Sequence, residues 1–250
     1  MGDLYLLRLQ GRLLGIIGTE DMDIRLRSTN HLAVRTMDIL VAREAQASGL
    51  GVWLNQATMQ EKSVAIAVGA NRNSAGTVRR LFHSMPAMTE WRLQIDVRGF
   101  VRRRVLLPLL GIPIGALLSG ALRLVRRTGE FTADRTLSLR PIERIDDEAV
   151  RFYATGGASD VVVVRTPAFL NYRLFDNPRG RYTVTGAWRG DSLAGLVAWR
   201  ILRTGESGCA AHVIDIRADG ANPGPVLKKL LLHVGRQAES AGCSHVSLMM

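Results

Sequence analysis

A chain of 250 residues has room for one large domain or two small ones, and 47% hydrophobic against 22% charged residues makes it globular rather than disordered. Two cysteines, Cys209 and Cys243, are too few for a disulfide framework or a Cys-based zinc site, so no metal is expected and a reducing, cytoplasmic compartment fits. The formal charge of +11 is local: seven arginines lie between Arg98 and Arg127 with no acidic residue among them, leaving about +4 for the rest. A nucleic-acid face spreads its cations among aromatics instead of bracketing an apolar run, so nucleic acid is not an expected partner.

Met1 to Tyr5 has no basic region followed by an apolar core, and no signal peptide is expected. Leu4 to Leu9 and Arg12 to Ile17 read as strands joined by a turn at Gln10-Gly11. An extended stretch from Met22 to Leu26 and a polar turn at Ser28-Thr29-Asn30 follow. His31 to Ala42 contains neither Gly nor Pro, and periodicity alone leaves strand and helix open. The Gly-containing loop from Glu44 to Gly51, with a helix expected over Val52 to Lys62, makes it a strand entering a loop. Ser63 to Val68 is β-rich, Asn73-Ser74 suits the start of a helix over Ala75 to Phe82, and Trp91 to Val97 alternates as a half-buried strand does.

The most informative string is Gln46-Ala47-Ser48-Gly49-Leu50-Gly51. Between a strand and a helix, such a loop aims backbone N–H groups outward where the helix has no partner for them and the dipole favours anions. Glycines let a pyrophosphate approach closely. The string lacks the three-glycine dinucleotide pattern and the Walker lysine. It resembles the Q/R-x-x-G-x-G/A signature of the GNAT-type N-acetyltransferases, matching every defined position. Leu40 to Glu44 also resembles that family's approach to the loop, with Arg43 where proline is common. The resemblance covers about Leu4 to Val97, and Leu137 to Met250 more weakly.

It implies an α/β fold of two GNAT-like units, with mixed, mostly antiparallel sheets flanked by helices; truncation of the first and last elements and completion of each unit by the other are the two readings of its ends. It also implies an acetyl-CoA co-substrate and transfer of an acyl group to a small-molecule primary amine. Two-unit proteins of this kind are often linked to amino sugars of cell-surface polysaccharides. The resemblance assigns Val41 to the pantetheine amides, Gln46, Ala47, Ser48, Gly49, Leu50 and Gly51 to the pyrophosphate, and Asn73 to the opening of the sheet. A tight turn that binds nothing is the alternative reading of the glycines. Asp38 is the carboxylate nearest the expected thioester and the candidate base, though strand alternation leaves its direction open. His31 lies upstream on the same strand. The tyrosine that many members place after the Asn is missing between Asn73 and Phe82.

Arg102 to Arg127 holds 18 consecutive uncharged residues, Val105 to Leu122, between arginines. A bilayer span needs ~20 apolar residues, so this run is borderline. A packed helical connector, an interfacial membrane anchor and a span are the three readings. Beyond it, Leu137 to Ile142 reads as a strand, Asp146 to Ala154 as a helix, and Pro167 to Asp176 as an aromatic-bearing segment. Tyr182 to Trp188 and Leu193 to Leu202 form a hairpin; His212 to Ile216 is a strand, Pro225 to Ala241 a helix and His245 to Met249 a strand. Gln10 to Gly15 rhymes with Arg189 to Gly195, and Met37-Asp38-Ile39 with Ile214-Asp215-Ile216, at similar separations, which suggests an internal duplication. Pro223 and Pro225 remove N–H donors from the second loop, so the second unit is expected not to bind CoA. The expected division is residues 1–100 as a CoA-binding unit, 101–135 as a basic and apolar linker, and 136–250 as a degenerate unit. A catalytically inactive scaffold, membrane-associated through 101–127, is the competing function.

Overall fold

The computed structural model describes residues 2–26, 29–60, 62–68, 74–83, 89–98, 101, 108–131, 134–154, 161–178, 180–204, 208–220 and 222–249. The chain forms two compact units, Met1–Ala87 with Gly156–Arg165, and Met88–Thr155 with Thr166–Met250.

The first unit is a sheet backed by a helix. Strand β1 (Gly2–Leu9) turns at Gln10-Gly11, both with positive φ, into β2 (Arg12–Leu26), which runs unbroken where two extended stretches were expected. β3 (Thr29–Val41) pairs antiparallel with β2. A 3-10 helix (Arg43–Ser48) and α1 (Leu50–Met59) lead to β4 (Val64–Ala67), parallel to β3. The loop expected over Glu44 to Gly51 is therefore mostly helical. Helix α2 (Ala75–Leu81) follows. A strand that sequence reading did not find, β7 (Val161–Val163), adds to the far end of β2. Ile17 and Ile24 of β2, Ala33 and Val34 of β3 and Leu54 of α1 are all buried. Gly15 lets Leu54 of α1 lie against β2, because a Cβ there would stand 2.7 Å from Leu54 Cδ1.

The second unit repeats that succession. Strand β5 (Glu90–Gln94) is an edge, α3 (Pro108–Phe131) a long helix with Pro113 inside it, and β6 (Leu137–Pro141) the opposite edge. Helix α4 (Asp147–Ala154) begins with two acidic residues, as a helix dipole favours. A short α5 (Pro167–Asn171), N-capped by Thr166, continues into a π-helical turn over Tyr172–Asp176. Then β8 (Thr183–Arg189), β9 (Ser192–Thr204) and β10 (Gly208–Ala218) form an antiparallel meander, and α6 (Gly224–Ser240) crosses over to β11 (His245–Met249), parallel to β10.

Helix α6 buries Val226, Leu230, Val234 and Ala238, one stripe at a spacing of four, against Val197, Ala211, Val213 and Val246. The other sheet face is covered by Ala149, Phe152, Leu170 and Leu174 of α4, α5 and the turn after it. β5, placed by sequence with the first unit, pairs with β11 of the second. The two cysteines, too few for a framework, form a single disulfide between β10 and the residues ahead of β11.

Candidate active site

β3 carries one residue more than its partner. Gly15 pairs with Val41 and Ile16 with Leu40, and pairing resumes at Gly18 with Met37. Asp38 sits in this bulge with φ +52. Aspartate tolerates the left-handed region better than most residues, and a bulge bends the strand that carries it. On the other edge of β3 the parallel ladder covers only Ala33 to Thr36 against Val64 to Ala67. The ladder therefore ends beside the bulge, and a cleft of about 430 Å³ opens there. Met37 to Val41 form one wall, Ala67 and Val68 another, and Gly49, Gly51 and residues of α2 close it.

The entry to α1 is built from local hydrogen bonds. Gln46 Nε2 donates to the Val41 carbonyl at 3.3 Å, and Ser48 Oγ to the Ala45 carbonyl at 2.6 Å. Glu44 pairs with Arg12 of β2. Gly49, at φ +80, ends the 3-10 helix and caps α1, a reversal that a side chain would strain. The N–H groups of Val52 and Trp53 both reach the Gly49 carbonyl, at 2.9 and 3.1 Å. Those of Leu50 and Gly51 stand ahead of any intrahelical carbonyl. No acidic side chain lies in that turn to answer the positive end of the dipole. Asn55, 4% exposed, donates to the Gly51 carbonyl at 2.8 Å and fixes the first turn.

Asp38, Val41, Gln46, Gly49 and Gly51 thus line one cleft. Ser48 and Leu50 belong to the same segment but are not among the lining residues, and the side chain of Ala47 lies outside those described. Asn73 lies outside the described residues. His31 pairs with Ile24 toward the other end of β3, away from the cleft. Sequence reading missed Thr36, Asn55, Ser74 and Thr77, whose residues also line it. Ser74 and Thr77 are three apart at the start of a helix, a spacing that puts them on one side, but nothing in the sequence marks that side as facing a cleft. Ser74 occupies the N-cap position without a side-chain hydrogen bond to the helix. Among the described residues, no group of three or more His, Cys, Asp or Glu is placed to hold a metal.

The second unit has its own bulge. β10 pairs Val213 with Trp199 and then Asp215 with Ala198, which leaves Ile214 extra. Its parallel ladder with β11 also stops there, after Val213. Beyond the bulge Arg217 Nε donates to Asp215 at 3.0 Å. Helix α6 starts at Gly224 between Pro223 and Pro225, where the first unit has Gly49-Leu50-Gly51.

No protein-family model and no curated protein matches the chain. Solved structures do. A GCN5-related N-acetyltransferase from Anabaena variabilis aligns over 99% of this chain and 55% of its own, at 12% identity and TM-score 0.63. A conserved protein of unknown function from Enterococcus faecalis aligns over 99% and 54%, at 9% identity and TM-score 0.62. Saccharomyces cerevisiae N-myristoyltransferase with bound myristoyl-CoA aligns over 96% and 58%, at 10% identity and TM-score 0.54. The chain spans little more than half the length of each. With two α/β units that each run antiparallel meander, helix and parallel strand, the chain has the two-unit fold of the GCN5-related N-acetyltransferases.

Proposed function

We propose that the first unit binds acyl-CoA, with acetyl-CoA as the co-substrate, and passes the acyl group to a primary amine. The observation that carries this reading is the coincidence of an open strand edge with a bare helix start in one cleft. Main-chain groups of Met37 to Val41, past the end of the ladder, suit the amides of a pantetheine arm. The N–H groups of Leu50 and Gly51 suit the pyrophosphate. In the transfer, the amine lone pair attacks the thioester carbon, the C–S bond breaks, CoA leaves as the thiol and the amine gives up a proton. Asp38, exposed in the cleft, is the candidate base. A β3 N–H beyond Thr36 is the candidate donor to the oxyanion. An amino sugar is the acceptor that the resemblance favours. The second unit, with prolines at its helix start, serves as the acceptor side or as structural support, and the organisation is CoA-binding unit, basic and apolar linker, degenerate unit.

Calorimetric titration with CoA tests the reading. Gly49→Asp would confuse two effects, since any side chain at φ +80 strains the backbone. Gly51 has an ordinary φ, and a Cβ there would touch only Val41 Cγ2 at 3.7 Å and Ile39 Cδ1 at 3.9 Å. Gly51→Asp is therefore expected to stay folded yet lose CoA binding, by placing a carboxylate against phosphate. Folded wild-type protein that is silent at high CoA would leave the inactive scaffold as the better reading.

A further inference from the structure

Helix α3 packs one face within the second unit and leaves an apolar stripe beside it exposed. The inward face is fixed by close contacts. Gly115 is buried, and a Cβ there would come within 2.9 Å of the Arg98 Cα. Ser119 Oγ accepts from the Val97 N–H at 3.2 Å and donates to Asp96 at 3.0 Å. Arg126, with its side chain 10% exposed, reaches Glu239 and the carbonyls of Gln94 and Ile95. Gly129 lies against Leu232.

The stripe beside it, about a third of a turn round the helix, meets no such partner among the described residues. Ile114, Leu117, Leu118, Leu124 and Val125 are 41%, 74%, 44%, 64% and 66% exposed. Counted from Ile114 they fall at i+3, i+4, i+10 and i+11, and exposed Ala121 completes the stripe at i+7. On an ideal helix exposed Arg127 falls to one side of it, whereas Arg123 lies nearly opposite the stripe and pairs with Glu239. Arg102, Arg103 and Arg104 precede the helix in the chain, and from Arg98 to Arg127 there is no acidic residue. Among the described residues no helix is long and apolar enough to cross a membrane.

We propose that this outer face of α3 docks in the plane of an anionic lipid surface. The leucines and Val125 enter the acyl boundary while the Arg127 guanidinium beside the stripe meets lipid phosphates. Charge selects this occupant over a second copy of the chain. A copy would set Arg127 of one basic chain near that of another, whereas an anionic bilayer answers both the apolar stripe and the excess positive charge of the segment. The inference does not depend on the acyltransferase reading, and its test does not use CoA.

The full chain is sedimented with phosphatidylcholine vesicles and with mixed phosphatidylcholine–phosphatidylserine vesicles, at low and high salt. Binding is expected only to the mixed vesicles and is expected to weaken with salt. Leu117→Glu, at a site too exposed to disturb packing, should lower partitioning at least ~10-fold. Arg127→Gln should lower it about fivefold. A gain-of-signal variant, Leu117→Trp, should show emission shifted to the blue and quenched by brominated lipid. Equal retention of wild type and Leu117→Glu overturns the proposal, as does absence of binding at low salt or an unshifted Leu117→Trp. A dimer that Leu117→Glu dissociates, with no lipid binding, names the second copy as occupant and overturns it too.

Discussion

Asp38 combines two properties that a careless substitution would merge. Its carboxylate is exposed in the cleft, and its backbone sits at φ +52 in the β3 bulge. Alanine would remove the acid and also pay for a left-handed conformation, which costs roughly 1–2 kcal/mol for an ordinary L-residue. Asparagine tolerates that conformation and keeps the size, so Asp38→Asn isolates the chemistry. Its stability should stay within about 0.5 kcal/mol of wild type. If Asp38 is the base, the transfer rate should fall ~10²–10⁴-fold while CoA affinity is unchanged. An unchanged rate in a steady-state assay would leave Asp38 as a bulge residue only, with the proton taken by another group or by water.

At the scale of elements, the packing of α3 within the second unit is polar as well as steric. The Arg98 guanidinium holds the Asp96 carboxyl down to about 2, against burial, and bonds from the Arg98 N–H and Ser119 add to it. For Glu239 burial is the largest influence and pushes upward, but Arg123 and Arg126 together outweigh it and the net direction is down. Both carboxyls therefore bind their protons less readily when folded. Their contribution to stability is complete above the ordinary carboxylate range and, for Asp96, disappears as pH falls from 3.8 to about 2. Melting followed through that range should show a loss of stability that Asp96→Asn blunts. At neutral pH, Arg126→Ala should cost ~1–3 kcal/mol, because it strips a partner from Glu239 and from two backbone carbonyls. Exposed Arg123 should cost at most about 1 kcal/mol when replaced by Ala. Chemical denaturation of the two variants compares them directly, and equal losses would show that the buried arginine is no more important than the surface one.

Across the whole molecule the two units share a succession of elements and differ where a ligand would bind. Each has a bulge at the point where its parallel ladder stops, at Asp38 and at Ile214. The first unit then offers Gly49-Leu50-Gly51 at a helix start, and the second offers Pro223-Gly224-Pro225. Proline has no N–H to give, and Arg217 already donates to Asp215 beyond the second bulge. One CoA per chain is the expected stoichiometry in calorimetry. A value of two would mean that the proline-flanked helix start still accepts an anion.

Much of this was legible from residue order, for local physical reasons. Turn chemistry at Gln10-Gly11 and Gly190-Asp191, the spacing of Val226, Leu230, Val234 and Ala238, and the glycine pair ahead of α1 each act within a few residues. The strands, the crossover helix and the loop motif could therefore be read in order, as could the rhyme between the units. What the sequence left open depends on partners far away in the chain. Whether Asp38 faces a cleft was undecidable by alternation, because a bulge is a mismatch with β2 and only the paired strands count the extra residue. β7, three valines long, is a strand because Ile24 to Leu26 offer it an edge. Trp91 to Gln94 joined β11 and not the strands nearest in sequence. The apolar run from Val105 to Leu122 read as a connector ahead of an anchor or a span, but its uncharged pattern did not say which side would be packed. Tertiary contacts at Gly115, Ser119 and Arg126 chose which side is packed, and so which side remains exposed.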